Sequence, residues 1–210
     1  MSNLHLLQNL GLYIEPNFLP ADFCSKLLDL GQLAQAKPAL VWTPGINQNL
    51  DLSEDNHQRK TEQIEFDDAI FIKLRQYFHA VKPKLEHHFH LQLKSFQNPL
   101  FYRYKIGSFF GAHRDRCDRE DAPDFLRDRQ VSTVIFLNQQ QEESHRDLID
   151  SAYCGGSLAF YGLIDDPRWQ NFGFPVPSQP GMLVAFPSDR LHEVKKVTAG
   201  ERYTIVSWFV

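Results

Sequence analysis

The residues with the clearest chemical potential are His113 and Asp115, in the stretch Phe101-Tyr-Arg-Tyr-Lys-Ile-Gly-Ser-Phe-Phe-Gly-Ala-His-Arg-Asp. Side chains alternate along an extended segment, so residues two apart project to the same side. One imidazole and one carboxylate make two thirds of a facial metal site. His192, in Leu191-His-Glu-Val, is the residue that completes a 2-His-1-carboxylate set. Such a set leaves coordination positions open and suits an oxygen-activating iron(II) ion. An H-x-D pair alone is common by chance; it gains weight from the residues placed after it in the chain. Arg202 lies ten residues beyond His192, on the next expected strand. A guanidinium in a mostly apolar strand is costly without an anion to pair with, and its planar fork fits a carboxylate bidentately. A dicarboxylate held by the metal at one end would present its other end to this arginine. By the two-residue period, Thr204 and Trp208 fall on the Arg202 side and are expected to line the same pocket; plain core filling accounts equally well for Trp208.

These side chains need a scaffold, and the chain of 210 residues is long enough for one domain with a proper core. Hydrophobic residues make up 42%, with 17 Phe, which excludes disorder by composition. The net charge of -4 argues against a nucleic-acid binder that relies on a broad positive field. Cys24, Cys117 and Cys154 are odd in number and show no CxxC spacing. That points to a reducing compartment and away from a disulfide framework or a thiolate zinc cage. The N-terminus has no basic region followed by an apolar run, and no stretch reaches the roughly 18 apolar residues of a membrane span. The expectation is a cytoplasmic protein that engages neither membrane nor nucleic acid.

Elements can be placed along the chain. Residues 10–19 read as a short strand and turn. Pro20-Ala-Asp-Phe opens a helix with Phe23, Leu27, Leu28 and Leu30 on one side and Gly31 near its end. Residues 42–62 are polar and aperiodic, as in a long surface loop. Residues 67–89 read as a second helix, capped by Asp67 or Asp68, with Ile70, Phe71, Leu74, Tyr77, Phe78 and Val81 on its apolar face and a kink or restart at Pro83. His87, His88 and His90 cluster there, most simply as a packed or solvated helix end. Strands are then expected at 99–106, 109–114, 131–138, 156–162, 182–187, 191–197 and 202–209. Helices first and strands afterwards imply an α+β fold, with helices outside a mainly antiparallel sheet sandwich. Residues 114–130 carry many charges of both signs, as a solvated loop laced with weak ion pairs or as a lid leaving the metal motif. Residues 139–154, including His145, look like a further surface excursion.

The ordered blocks carry a resemblance. Arg103-Tyr-Lys-Ile-Gly-Ser-Phe-Phe-Gly-Ala-His-Arg-Asp, Val131-Ser-Thr-Val-Ile-Phe-Leu-Asn, Gly155-Gly-Ser-Leu-Ala-Phe, Pro180-Gly-Met-Leu-Val-Ala-Phe-Pro-Ser, and His192-Glu-Val followed by Gly200-Glu-Arg-Tyr-Thr-Ile-Val-Ser-Trp resemble the Fe(II)- and 2-oxoglutarate-dependent dioxygenases, within them the prolyl-4-hydroxylase-like branch. The resemblance covers roughly residues 99–210. It implies a double-stranded β-helix, or jelly roll, over 99–210, with residues 1–98 as a helical and strand support region of the same compact domain. It implies Fe(II) on His113, Asp115 and His192, 2-oxoglutarate as cosubstrate with its far carboxylate on Arg202, a cosubstrate contact from Tyr104, O2 as oxidant, and ascorbate as a candidate further cofactor. Asp115 favours hydroxylation, since related halogenases lack this carboxylate. There are departures. Tyr104 lies nine residues before His113, one fewer than in the oxygen-sensing enzymes, and Ile135 and Phe136 stand where those enzymes carry tyrosines. The collagen-type enzymes use a lysine where this chain has Arg202.

The resemblance makes a prolyl residue of a protein or peptide the first expected substrate and a free amino acid or other small metabolite the second. Two readings from other classes remain distinct. A non-catalytic β-sandwich binding module would make no succinate from 2-oxoglutarate. A cupin-like metal protein would give Arg202 no anionic partner.

Overall fold

The structure, a computed structural model, describes residues 3–42, 54–142 and 148–210. Most of the expected 42–62 loop and His145 therefore lie outside the described residues. The N-terminal part holds α1 (Asn3–Asn9), β1 (Tyr13–Glu15), α2 (Ala21–Leu33), β2 (Ala36–Pro38), β3 (Arg59–Lys60), β4 (Glu62–Ile64) and α3 (Asp68–Phe89). Then come β5 (Leu100–Tyr104), β6 (Phe109–His113), a short α4 (Asp124–Arg127) and β7 (Val131–Phe136). The chain closes with β8 (Tyr153–Gly155), β9 (Leu158–Phe160), β10 (Phe174–Val176), β11 (Leu183–Pro187), β12 (His192–Val194), β13 (Val197–Gly200) and β14 (Arg202–Phe209).

Seven strands form one sheet in the order β1-β11-β7-β14-β5-β4-β2, and five form a second in the order β10-β9-β12-β6-β3. Every named strand pair is antiparallel. Strand alternation sorts the central strands' side chains onto two faces. Phe101, Ile135, Tyr203, Ile205 and Phe209 join α2 and α3 in one apolar cluster. Tyr102, Tyr104, Val134 and Phe136 join Leu158, Phe160 and Val194 of the second sheet in another. The larger sheet is thus covered by helices on one face and by the smaller sheet on the other, and the inter-sheet face is where the chemistry sits.

The helices follow the expected stripes with informative shifts. In α3 the buried residues are Ile70, Leu74, Phe78, Val81 and Leu85, and the Asp67 side chain caps the helix by accepting from the Ile70 N–H. The helix runs through Pro83 without a break. Pro83 and His79 are both exposed, so water can satisfy the carbonyl that proline leaves without a donor. In α2 the buried face is Phe23, Cys24, Leu27, Leu28 and Gly31, whereas Leu30 is exposed. Position 31 continues the i, i+4 row from Leu27, and position 30 is rotated off it. Glycine is required there: a Cβ would lie 2.8 Å from the Phe101 ring and 3.0 Å from that of Tyr203. Gly31→Ala should therefore overpack the helix–sheet contact and lower stability by about 1–3 kcal/mol, read as a fall in the midpoint of urea unfolding.

The histidines at the end of α3 behave as packing groups. His88 meets Tyr13 edge-on at 5.3 Å, and none of the three belongs to a potential ligand cluster among the described residues. The end of the expected 42–62 loop instead begins two short strands, Arg59–Lys60 and Glu62–Ile64. Arg59 and Lys60 pair with β6, and Glu62–Ile64 pairs with β5. The chain thus crosses from one sheet to the other at Thr61. Its charged and amide side chains have no hydrophobic period to announce a strand, because pairing here is decided by the neighbours.

Candidate metal centre

The two histidines meet through strand register. His192 on β12 is the direct cross-strand partner of His113 at the end of β6, and their rings are 4.2 Å apart. Asp115 lies just beyond β6, in a bend. The Asp115 and Arg116 N–H groups both donate to the Ser188 carbonyl, which holds the turn against the end of β11. His113 Nε2 is 3.5 Å from one Asp115 oxygen and His192 Nε2 is 3.7 Å from the other. One ligand atom from each of the three residues lies within 4.8 Å of the others.

This donor set fits a divalent ion. The Nδ1 atoms of His113 and His192 contact the carbonyls of Gly111 and Arg190 at 2.8 and 2.9 Å. Each carbonyl is placed to accept a hydrogen bond from an Nδ1–H, the tautomer that leaves the Nε2 lone pair free to ligate. Burial, followed by His113, pushes His192 down to about 4, which keeps it neutral. Burial pushes Asp115 up, but His192, His113 and Arg129 outweigh it and hold the carboxyl well below its usual range. Two neutral imidazoles and an anion are the protonation states that iron(II) requires.

At the ligands lies a pocket between the sheets, lined also by Tyr102, Tyr104, Arg202, Thr204 and Trp208. All four residues expected around a cosubstrate are thus brought together: Arg202, Tyr104, Thr204 and Trp208. Arg202 pairs across β14–β5 with Tyr104, and its guanidinium sits 4.7 Å above that ring. Arg202 is 1% exposed, and its Nε has no partner among the described residues. A buried guanidinium with a free donor is built to receive an anion.

Three site residues carried no signal of their own in the sequence. Tyr153 on β8 is fully buried, and the Arg202 charge acts on its hydroxyl. Its hydroxyl also contacts Ser178 Oγ at 2.7 Å. The Gly155-Gly156 pair explains how β8 gets so close. Both residues have positive φ, and a Cβ at 156 would lie 2.9 Å from Val197, 3.2 Å from Arg202 Cδ and 3.2 Å from the Tyr153 ring. Arg59 is stacked between Tyr102 and Phe110, 4.1 and 4.5 Å from their centroids. Arg129 lies 3.6 Å over the Trp208 ring, donates to the Asp115 carbonyl at 3.2 Å and to Gln97 Oε1 at 3.1 Å, and is pushed down to about 10 by burial. The remaining arginines of the 114–130 segment behave as a solvated loop should: Arg116, Arg119 and Arg127 pair with Asp118, Asp121 and Asp124 in local, largely exposed contacts of small energetic weight. Arg129 is the exception because it sits at the entrance to β7.

Beyond the ligands the pocket opens into a groove of about 1080 Å³, which reaches Trp42, Phe96, Phe125 and Leu191 and has His113 and Asp115 on its wall.

Comparison with known proteins gives a consistent result. The family model described as the 2OG-Fe(II) oxygenase superfamily matches residues 99–210. A PKHD-type hydroxylase of Shewanella oneidensis is 28% identical over 183 residues, covering 86% of this chain and 72% of that relative. A PKHD-type hydroxylase of Thermosynechococcus vestitus is 31% identical over 172 residues, covering 80% of this chain and 64% of that relative. Among solved structures, a Pseudomonas putida prolyl-4-hydroxylase aligns with a TM-score of 0.62 at 22% identity, covering 99% of this chain and 98% of the other. A Trichoplax adhaerens prolyl hydroxylase, solved with a hypoxia inducible factor peptide fragment, aligns with a TM-score of 0.65 at 19% identity over 98% and 86%. At these identities the structural likenesses speak to the fold.

Proposed function

The chain belongs to the 2OG-Fe(II) oxygenase superfamily, and from that premise we propose that it is a hydroxylase of prolyl residues in a protein or peptide, built on a double-stranded β-helix over residues 99–210 with residues 1–98 as its support. His113, Asp115 and His192 hold iron(II), and Arg202 holds the far carboxylate of 2-oxoglutarate. Iron and cosubstrate together supply the oxidising power, dividing O2 between succinate, formed with loss of CO2, and the hydroxylated carbon. Ascorbate would serve only to restore iron(II).

The protein's own work is positioning. The two Nδ1–carbonyl contacts fix the imidazole rings, and the Ser188 carbonyl fixes the Asp115 turn. Tyr104 and Thr204 line the pocket with Arg202, and Trp208, six residues further along β14, lines both the pocket and the groove. Phe136 offers no hydroxyl from β7, while the Tyr153 hydroxyl on β8 lies within the electrostatic reach of Arg202. Tyr153→Phe is expected to raise the KM for 2-oxoglutarate about five- to tenfold, the equivalent of one hydrogen bond of about 1 kcal/mol, with kcat within about twofold. Steady-state succinate formation over a range of cosubstrate concentrations tests this.

The observation that carries a polymeric substrate is the groove. Its volume of about 1080 Å³ is at or beyond the upper end of small-molecule sites, about 300–1,000 Å³, and it is open along the metal ligands. The test is mass spectrometry of lysate proteins treated with the iron-loaded enzyme. Addition of one oxygen to proline supports the proposal. No modified peptide, with turnover of a free metabolite instead, replaces it with the second reading, hydroxylation of a free amino acid or other small metabolite. Buried guanidiniums beside the metal are the feature that favours this second reading.

A further inference from the structure

We propose that Arg59 and Arg129 form a receptor for a carboxylate on the substrate, beside the carbon to be oxidised. This rests on the iron- and 2-oxoglutarate-dependent function proposed for the same site and adds the charge of the substrate to it.

Arg59 is 7% exposed, and its Nε has no hydrogen-bond partner among the described residues. It is stacked against two aromatic faces, and forms no ion pair with a carboxylate among the described residues. It lines both the pocket at the metal and the groove leading to it. Arg129 lines the same groove and is 8% exposed. Its hydrogen-bond and ring partners, a carbonyl, an amide oxygen and the Trp208 and Phe125 faces, are neutral, and the charge that acts on it is that of Asp115.

Charge balance then becomes decisive. Iron(II) and the 2-oxoglutarate dianion cancel each other. The buried side chains left are Arg59, Arg129 and Arg202 against Asp115. The other groove acid, Asp55, is half-buried, and its carboxylate accepts from the His57 and Gln58 amides. Among the described residues two positive charges therefore remain uncompensated, or one when Asp55 is counted, in a site shielded by aromatic rings. Burying a guanidinium without an anion is costly, and such a cost persists in a fold when a ligand relieves it. A substrate carboxylate satisfies the orphaned Nε of Arg59 bidentately and neutralises part of the excess. Its source is either the α-carboxylate of a free amino acid or an acidic residue beside the target in a peptide.

The test uses the full chain loaded with manganese(II) and saturating 2-oxoglutarate under nitrogen, so that binding is read by calorimetry without turnover. One arm compares L-proline with L-prolinamide. The other compares blocked proline peptides carrying Asp or Asn on either side of the proline. In one arm the acid is expected to bind about tenfold tighter than its amide, and Arg59→Gln is expected to bring the two within about twofold. The arm that shows the preference identifies the source. Arg59→Met, which keeps the stem between the two rings, should match the wild-type thermal midpoint or exceed it while also losing the preference, which separates anion recognition from folding. Equal binding of acid and amide in both arms, including no binding of either, overturns the proposal, as does a preference that survives in both Arg59 variants. Failure of 2-oxoglutarate itself to bind would instead overturn the cosubstrate assignment and the charge count with it.

Discussion

Asp115→Asn is expected to lower iron(II) retention and turnover together by at least about a thousandfold, a loss on the order of 4 kcal/mol. Asp115 is the single anion of the candidate ligand set, and its oxygens are the ones within 3.5 and 3.7 Å of the two imidazoles. Asparagine keeps the shape and the backbone donation to Ser188, so the bend stays in place. What disappears is the negative charge, which also acts on Arg129. Metal content after dialysis, measured by plasma mass spectrometry, should fall with succinate production. An Asp115→Asn protein that retains stoichiometric iron and full turnover would remove the triad from the account. Circular dichroism of the same sample shows whether the fold survives the substitution.

Arg202→Met is expected to separate stability from function. The KM for 2-oxoglutarate should rise on the order of a hundredfold, about 3 kcal/mol, the usual scale for losing one partner of a buried charge pair. Thermal stability in the absence of cosubstrate should be unchanged or higher. Arg202 is 1% exposed and its Nε is unpartnered, and replacing a buried, unpaired charge by an apolar side chain of similar length removes a desolvation cost. Differential scanning fluorimetry with and without 2-oxoglutarate reads both effects. The wild-type midpoint should rise with cosubstrate, and the variant's should not. Undiminished activity in the variant would favour a metal enzyme of cupin type that uses no 2-oxoglutarate.

Much of the architecture is legible in the chain because its causes are local. The strands at 131–136, 183–187 and 202–209 are runs of β-branched and aromatic residues between turn signals. The helix at 68–89 has a capping aspartate and a clear stripe. Where local causes are weak, pattern and structure part. Residues 59–60 and 62–64 become strands by pairing with β6 and β5. Leu30 is exposed and Gly31 buried because the sheet beneath α2 leaves no room for a Cβ, which hydrophobicity does not encode. Pro83 leaves α3 intact because it faces water.

The same division runs through the site. The sequence by itself determined the donor types, their order, and the face shared by Arg202, Thr204 and Trp208, since these depend on side-chain chemistry and a two-residue period. The tertiary structure alone decided which strands lie side by side. That choice set His192 opposite His113 and Arg202 opposite Tyr104, and brought Tyr153, Arg59 and Arg129 in from strands and loops far away in the chain. Antiparallel register is a property of paired strands, and a shift of one residue would turn these side chains to the other face. No spacing along a single chain contains that information.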